Sequence, residues 1–203
     1  MKIIFVRHGD TTVKADDVVQ STDNMLSPEG VLQAKNVAEK LLDHDFEIIV
    51  SSPLPRAIDT ANIINEKFNK KLIINNNLAE VKWPTILEGI SVEDPKVVGY
   101  RQLRNKNNVS DISWHYSDEE NFVDLRNRAV KLLDELVELR VENMLVVTHS
   151  TFMKVLVTVM CHGKDVTWPV YYDFLTFAKP KHTSMSTFEL DEKGKWHMDS
   201  WNL

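Results

Sequence analysis

The sequence predicts an α/β fold, a three-layer αβα sandwich with a mainly parallel sheet and a small cap insertion. Segments typical of strands alternate with segments typical of helices, and this alternation favours a parallel sheet covered by helices. Polar residues directly follow several of the strand-like segments, at the edge where ligands bind in such sheets. Residues 1–203 are expected to form a single domain, with the cap at about 81–119.

Short runs of β-branched and other apolar residues predict the strands. The first is Lys-Ile-Ile-Phe-Val at 2–6, and the others lie at 46–50, 72–74, 144–147, 187–190 and 196–198. The last two runs are joined through Asp-Glu-Lys-Gly, so they are expected to form a closing hairpin.

Helices are predicted from capping residues and from the spacing of apolar residues. Ser27 is a typical N-cap, Pro28 suits the first helical position, and Glu29 places a negative charge in the first turn. Apolar spacing indicates helices within 31–41, 57–68, 122–136 and 152–160. Residues 81–119 lack clear periodicity and are interpreted as a cap over one face of the sheet. The aromatic run at 168–174 predicts either core packing or a dimer contact.

Composition excludes several classes of protein. No apolar run approaches the roughly 18 residues of a membrane span, and the first residues show no signal-peptide pattern. Cys161 is the single cysteine, which excludes an internal disulfide framework and makes a cytoplasmic location the expectation. The net charge of −6 argues against a nucleic acid as the main partner. A small phosphorylated ligand is compatible with that charge, because local cations decide its binding.

Three predicted strands end in residues suited to binding an anion. Arg7, His8 and Gly9 follow the first strand, two serines lead to Arg56 after the second, and His149 follows the strand at 144–147. Gly9 is expected to supply freedom for a positive φ. If these strands are parallel neighbours, two arginines and two histidines meet at one point. The planar donor fork of arginine matches phosphate oxygens, so a phosphoryl group is the expected ligand.

The histidine beside the arginines has a specific chemical capacity. Neutral imidazole can attack phosphorus to form a phosphohistidine, which water then cleaves. Nearby arginine cations disfavour imidazolium and should keep His8 neutral. The leaving oxygen needs a proton from a carboxylic acid, and Glu80, after the strand at 72–74, is the best-placed candidate. Asp10 and Glu88 are the other candidates.

Five motifs in order carry a resemblance to a known family. They are Arg-His-Gly-Asp-Thr at 7–11, Leu-Ser-Pro-Glu-Gly at 26–30, Ser-Ser-Pro-Leu-Pro-Arg-Ala at 51–57, Leu-Ala-Glu at 78–80 and Val-Val-Thr-His at 146–149. Together they resemble the histidine phosphatase superfamily, the phosphoglycerate mutase-like group. The resemblance implies that His8 is the phosphorylated nucleophile and Glu80 the proton donor. It also implies that Arg7, Arg56 and His149 hold the phosphoryl group.

The chain departs from the family pattern around this core. Asp10 stands where glutamate or glutamine is usual, Lys14 and His182 stand where asparagine is frequent, and Ser150 replaces a usual glycine. The phosphoryl-transfer residues are kept, whereas the residues facing the substrate are altered. We predict Thr11, Lys14 and Ser150 as substrate-binding residues.

We therefore expect a phosphomonoester hydrolase that acts through a phosphohistidine on a small phosphorylated metabolite. No cofactor and no metal are expected, since the arginines supply the positive charge and no metal-ligand spacing is evident. One alternative is a cofactor-dependent phosphoglycerate mutase, which would return the phosphoryl group to a sugar acid. Another is a non-catalytic phosphate-binding regulatory module. A homodimer is left open.

Overall fold

A computed structural model describes residues 1–13 and 17–203 of the chain, and over these residues one mixed sheet is flanked by helices. The strands are β1 Lys2–Arg7, β2 Ile48–Ser51, β3 Lys71–Ile74, β4 Asn143–Thr148, β5 Met185–Leu190 and β6 Trp196–Ser200. The α-helices are α1 Pro28–Lys40, α2 Pro55–Phe68, α3 Pro95–Asn108, α4 Phe122–Glu138, α5 Ser150–His162 and α6 Trp168–Phe177.

The sheet has the strand order β3-β2-β4-β1-β5-β6. The four strands β3, β2, β4 and β1 run parallel, whereas β5 is antiparallel to β1 and pairs with β6 as the predicted hairpin. The prediction of a mainly parallel sheet is confirmed. Because β1 lies between β4 and β5, the site predicted at its carboxyl end has neighbouring strands on both sides.

Alternate residues of β1 and β4 face two separate apolar clusters. Ile3 and Phe5 pack with α4, α5 and α6, whereas Ile4 and Val6 pack with α1 and α2. This alternation places a helical layer on each face of the sheet, which confirms the predicted three-layer sandwich. Helix α5 is buried continuously from 152 to 160, since it lies between the sheet and its two neighbouring helices.

The start of α1 follows its capping sequence. The Ser27 hydroxyl accepts a hydrogen bond from the Gly30 N–H at 3.0 Å, with Pro28 and Glu29 in the first turn. This bond satisfies one of the N–H groups that a helix start leaves without a partner. The helix therefore begins where the sequence predicts.

Residues 81–119 contain a helix that the sequence does not reveal. Helix α3 begins after Asp94, whose carboxylate accepts the Lys96 N–H at 2.8 Å. Most of its residues are polar, so its apolar spacing is too sparse to predict a helix. This region contributes to a third apolar cluster, together with Val19 from outside it. The buried members are Val19, Leu87, Val97 and Tyr100, with Trp83, Ile90 and Trp114 packed around them.

The aromatic run at 168–174 forms most of α6. Trp168 and Tyr171 are buried. The Trp168 ring packs edge-on against Phe122, and the Tyr171 ring stacks on it. Their burial supports the core-packing alternative, while the oligomeric state stays a prediction. Within the residues described, none of the helices is both long and apolar enough to cross a membrane.

Candidate active site

The ends of three neighbouring strands bring the predicted residues together. The register pairs Arg7 with Thr148, and the backbone N–H of His8 continues the ladder by donating to the Thr148 carbonyl at 3.0 Å. Ser52 does the same from β2, donating to the Val147 carbonyl at 3.0 Å. His8, Ser52 and the residue after Thr148 therefore lie side by side at the carboxyl edge of the sheet.

Gly9 is required by a close approach between two backbone segments. A Cβ atom at Gly9 would lie 2.5 Å from the carbonyl oxygen of Gly30 in α1. Its φ is not positive, so the expectation that it supplies a left-handed conformation is wrong. The Gly9 N–H donates to the Thr60 hydroxyl at 3.1 Å, and that hydroxyl donates to the Arg56 carbonyl at 2.7 Å. This chain of bonds fixes the first turn of α2 beside His8.

The imidazole of His8 is buried and held in one tautomer. Its Nδ1 lies 2.7 Å from the Gly9 carbonyl oxygen, which can only accept, so Nδ1 carries the proton. Burial lowers the pKa of His8 well below its ordinary value, and the cations Arg56 and Arg7 act in the same direction. The ring is therefore neutral at neutral pH, and its Nε2 carries the lone pair.

The second histidine lies against the first. The ring centroids of His8 and His149 are 5.0 Å apart, and His149 Nε2 lies 2.7 Å from the Ser52 hydroxyl. Burial lowers the pKa of His149 well below its ordinary value, with His8 and Arg56 adding to the effect. Among the described residues, its buried Nδ1 has no hydrogen-bond partner. This nitrogen is available to a bound ligand.

Two guanidinium groups complete the centre. Arg7 Nη1 donates to the Pro180 carbonyl at 2.7 Å, and Arg56 Nη1 donates to the Ser21 carbonyl at 3.2 Å. Arg56 is 2% exposed, and within the described residues its Nε has no hydrogen-bond partner. Burial lowers the pKa of Arg56, while the charge of Glu80 opposes that shift. Buried guanidinium donors beside neutral imidazoles form a site for an anion.

Glu80 sits at the N-terminus of α5. Its Oε1 accepts the N–H groups of Val81 at 2.9 Å and Phe152 at 2.8 Å, and its Oε2 accepts the N–H of Thr151 at 3.1 Å. The N-cap residue His149 makes no side-chain capping bond, so the carboxylate of Glu80 caps the helix instead. The predicted acid is thereby brought to the helix that begins directly after His149.

Arg128 on α4 holds the segment that carries Glu80. Its Nη1 donates to the carbonyls of Asn77 at 2.9 Å and Ala79 at 2.8 Å, and its Nε and Nη2 bind the carboxylate of Glu120. Its guanidinium also lies over the ring of Phe152, 3.8 Å from the centroid. The position of Glu80 is therefore fixed from both α4 and α5.

The remaining predicted residues have different placements. Ser150 lines the cleft in front of His8, whereas the Thr11 hydroxyl donates to the Val13 carbonyl at 2.7 Å and accepts from the Gln20 amide. Thr11 is not among the described residues that line the cleft. Lys14 lies outside the described residues. The substrate-binding roles of Thr11, Lys14 and Ser150 stay predictions.

The other two candidate acids are also in place. The Asp10 carboxylate accepts the Ser27 hydroxyl at 3.2 Å and lies 3.7 Å from the His182 ring nitrogen Nδ1. Glu88 lines the cleft on the side of residues 81–119. Of the three acids, Glu80 alone caps the helix that follows His149, which keeps it the first candidate.

The cleft over these residues has a volume of about 1040 Å³ and is rich in cations. Besides the predicted arginines it is lined by Lys82, Arg101, Lys154, Lys179 and Lys181. Lys154 was missed by sequence reasoning, although a lysine inside the apolar run of α5 was a usable indication. It is 8% exposed, its Nζ donates to the Leu175 carbonyl at 3.2 Å, and burial lowers its pKa. In the described part of the chain, no cluster of three His, Cys, Asp or Glu residues is arranged to hold a metal ion.

The two buried histidines predict an acid-sensitive stability. In the unfolded chain each titrates near about pH 6.5, whereas in the folded protein both stay neutral well below that value. Below about pH 6.5 the unfolded state therefore binds more protons, and the free energy of unfolding falls by up to about 1.4 kcal/mol per pH unit for each histidine. Their contribution is complete above that pH and is lost as the pH falls.

Chemical denaturation between about pH 8 and about pH 5 measures this slope. The slope of the free energy of unfolding against pH reports the number of protons taken up on unfolding. We expect His149→Gln to lower this number by close to one, since glutamine does not titrate. His197 is half-exposed on β6, and His197→Gln serves as the control for replacing a histidine outside the site. An unaltered slope in His149→Gln would show that this histidine is not buried in its neutral form.

A family model matches this arrangement over most of the chain. Residues 3–203 match the histidine phosphatase superfamily, branch 1. The chain belongs to the histidine phosphatase superfamily. The resemblance carried by the five sequence motifs is thereby confirmed.

Individual relatives agree with this membership. The chain is 38% identical over 84 residues to a 2,3-bisphosphoglycerate-dependent phosphoglycerate mutase of Thermoplasma acidophilum, covering 40% of this chain and 42% of the mutase. It is 28% identical over 208 residues to a probable phosphatase of Schizosaccharomyces pombe, covering 99% of this chain and 92% of that protein. A mycobacterial glucosyl-3-phosphoglycerate phosphatase, solved with VO3, superposes with a TM-score of 0.80 at 24% identity, over 99% of this chain and 98% of its own. This superposition confirms the fold.

Proposed function

We propose that the protein is a phosphomonoester hydrolase that transfers the phosphoryl group of a small metabolite to His8 and then to water. The observation that carries the proposal is the buried imidazole of His8, whose Nδ1 is held by the Gly9 carbonyl and which lines one cleft with Arg7 and Arg56. A purely electrostatic phosphate site has no use for a buried neutral imidazole with a fixed tautomer. Membership of the histidine phosphatase superfamily supports the same chemistry.

In the first step, the Nε2 lone pair of His8 attacks phosphorus and the bond from phosphorus to the ester oxygen breaks. Arg7, Arg56 and the available Nδ1 of His149 hold the non-bridging oxygens as their charge is redistributed. The leaving oxygen takes a proton from Glu80, which enters this step as the carboxylic acid and leaves it as the carboxylate. Oε1 of Glu80 already accepts two N–H bonds and Oε2 only one, so Oε2 is the oxygen with room for that proton.

In the second step, water attacks the phosphorus of phosphohistidine and the bond from phosphorus to Nε2 breaks. Glu80, now a carboxylate, takes a proton from the attacking water. Inorganic phosphate leaves, and His8 returns to its neutral form. Every proton moved in the first half is thus restored in the second.

The substrate class follows from the cleft. Its volume suits a small metabolite, and its lysines and arginines suit one with negative charge beyond the phosphoryl group. Because the whole chain carries a net charge of −6, a nucleic acid is not proposed as a partner. A cytoplasmic location is proposed from the single cysteine.

Two assays on the purified protein separate the three candidate functions. In excess EDTA, we expect steady hydrolysis of a nitrophenyl phosphate, because the arginines supply the charge that a metal ion supplies elsewhere. In a coupled assay with 3-phosphoglycerate and its 2,3-bisphosphate, we expect no isomerisation above background. Isomerisation faster than hydrolysis would favour the mutase, and phosphate binding without turnover would favour a regulatory module. Activity lost to EDTA and restored by Mg²⁺ would refute the metal-free mechanism.

A further inference from the structure

A third histidine lies beside the His8–His149 pair. His182 precedes β5, its ring centroid is 5.8 Å from that of His8, and it lines the cleft. Glu80 follows β3, on the other side of β1 in the order of the sheet. The two titratable groups therefore enter the same cleft from opposite sides of β1.

The backbone around His182 is held in an uncommon conformation. Thr183 has a φ of 53°, a left-handed value that a β-branched residue rarely adopts. The conformation is fixed by Arg7: the Thr183 N–H donates to the Arg7 carbonyl at 3.0 Å, and the Arg7 N–H donates to the Ser184 carbonyl at 3.3 Å. Strained residues of this kind persist where the surroundings determine them, and they cluster at functional sites. The turn places His182 beside Arg7, the last residue of β1.

Asp10 supplies a negative charge to His182. The distance from His182 Nδ1 to Asp10 Oδ1 is 3.7 Å. Asp10 is itself fixed against α1, because its Oδ2 accepts the Ser27 hydroxyl and its N–H donates to the Gln33 side chain at 2.8 Å. Both Asp10 and His182 are positions where this sequence differs from the pattern of the family it resembles.

The charged groups around His182 have opposite effects on the protonation of its imidazole. Asp10, from the loop after β1, favours the imidazolium form. Arg7 on β1, and Lys179 and Lys181 on the same segment, disfavour it, and a proton on His8 would do so as well. Among the groups named here, the negative charge of Asp10 therefore opposes the fixed positive charges of Arg7, Lys179 and Lys181.

We propose that His182, as an imidazolium paired with Asp10, is a catalytic residue that donates a hydrogen bond from Nε2 to a non-bridging oxygen of the phosphoryl group. The proposal rests on the proposed function, since it adds a third cationic donor to the anion held by Arg7 and Arg56. It involves no proton transfer and no bond cleavage. Its consequence is that phosphoryl binding weakens when His182 loses its proton.

The test compares His182→Asn with wild type in hydrolysis of nitrophenyl phosphate from about pH 5 to about pH 9. We expect kcat/KM of wild type to fall as His182 deprotonates. In His182→Asn we expect a value about 10²-fold lower at the acidic end, by analogy with loss of one preorganised donor, and no such fall on the alkaline side. The control is His197→Asn, since His197 makes a comparable pair with Asp191 at 2.9 Å on the hairpin. It should leave the profile unchanged.

Asp10→Asn is the second variant, and it keeps the imidazole. We expect it to move the alkaline fall of kcat/KM to lower pH, because the charge that favours imidazolium is gone. A wild-type profile in both variants would overturn the proposal. An equal loss of kcat/KM at every pH in a variant that folds would also overturn it, since a structural role predicts that result.

Calorimetric binding of inorganic phosphate keeps this test separate from the proposed function. Relative to His182→Asn, we expect wild type to bind phosphate more tightly at about pH 6 and to lose that advantage by about pH 9. If wild type binds phosphate in this way but hydrolyses nothing, the hydrolase proposal fails and the role of His182 stands. Equal affinities of wild type and variant at every pH would refute the role of His182.

Discussion

The His8→Ala variant is expected to fold and to hydrolyse no phosphomonoester at a measurable rate. The variant removes the only atom proposed to form a bond with phosphorus, so alkyl and aryl phosphates should fail alike. The fold should be kept, because within residues 1–13 and 17–203 the side chain makes one hydrogen bond, to the Gly9 carbonyl, and it lies at the cleft rather than in either main apolar cluster. Turnover and thermal unfolding measured on the same preparation check both parts.

The proposed mechanism also predicts which nitrogen of His8 is phosphorylated. Since Nδ1 donates to the Gly9 carbonyl, the phosphoryl group is expected on Nε2. Brief incubation of wild type with substrate, followed by an alkaline quench that preserves the P–N bond, should yield one phosphorylated residue. Its position on the ring can be assigned by NMR. Full activity of His8→Ala, or label on another residue, would refute the mechanism, and His162→Ala at the exposed end of α5 is the control.

The Glu80→Gln variant is expected to discriminate between leaving groups. An alkyl phosphate leaves as a strongly basic alkoxide and needs the proton, so its hydrolysis should fall by about 10²–10⁴-fold. A nitrophenyl phosphate leaves as a stable phenolate and should be affected far less. The ratio of the two rates, measured in wild type and variant, reports the loss of the acid.

The capping role of Glu80 requires a control for this variant. Glutamine presents an NH₂ group where Oε2 accepted the Thr151 N–H, so some loss of stability is expected as well. Such a loss lowers both rates together and leaves their ratio unchanged. An equal fall for both substrates would make Glu80 a positioning residue. Asp10→Asn and Glu88→Gln, tested with the same two substrates, would then identify the acid.

The sequence predicted the central elements because their patterns are local. The β-branched run of β1 and the Ser27-Pro28 start of α1 specify their own conformations, and the polar residues after each strand mark one edge of the sheet. The elements that escaped prediction depend on distant partners. Helix α3 is mostly polar, and its position depends on packing with residues such as Val19 and Leu87.

The same distinction applies to the site. Arg7, His8, Arg56 and His149 were predictable as residues, and their proximity followed from strand adjacency. The reason for Gly9 was not predictable, because the atom it must avoid belongs to Gly30, which is distant in sequence. The capping of α5 by Glu80 and the anchoring of its segment by Arg128 likewise join residues that no local pattern connects.

We expect the third apolar cluster to tolerate substitution more easily than the rest of the molecule. Val19, Leu87, Val97 and Tyr100 belong to neither of the clusters that hold the sheet to its helices. Helix α3, which carries Val97 and Tyr100, is joined to α6 by the hydrogen bond from the Trp168 indole to Asn105 at 3.1 Å. We expect substitutions in this small cluster to change the wall of the cleft that Val19 and Trp83 line, with little effect on the residues at the strand ends. Exchange of this region between homologues would test whether it sets substrate preference.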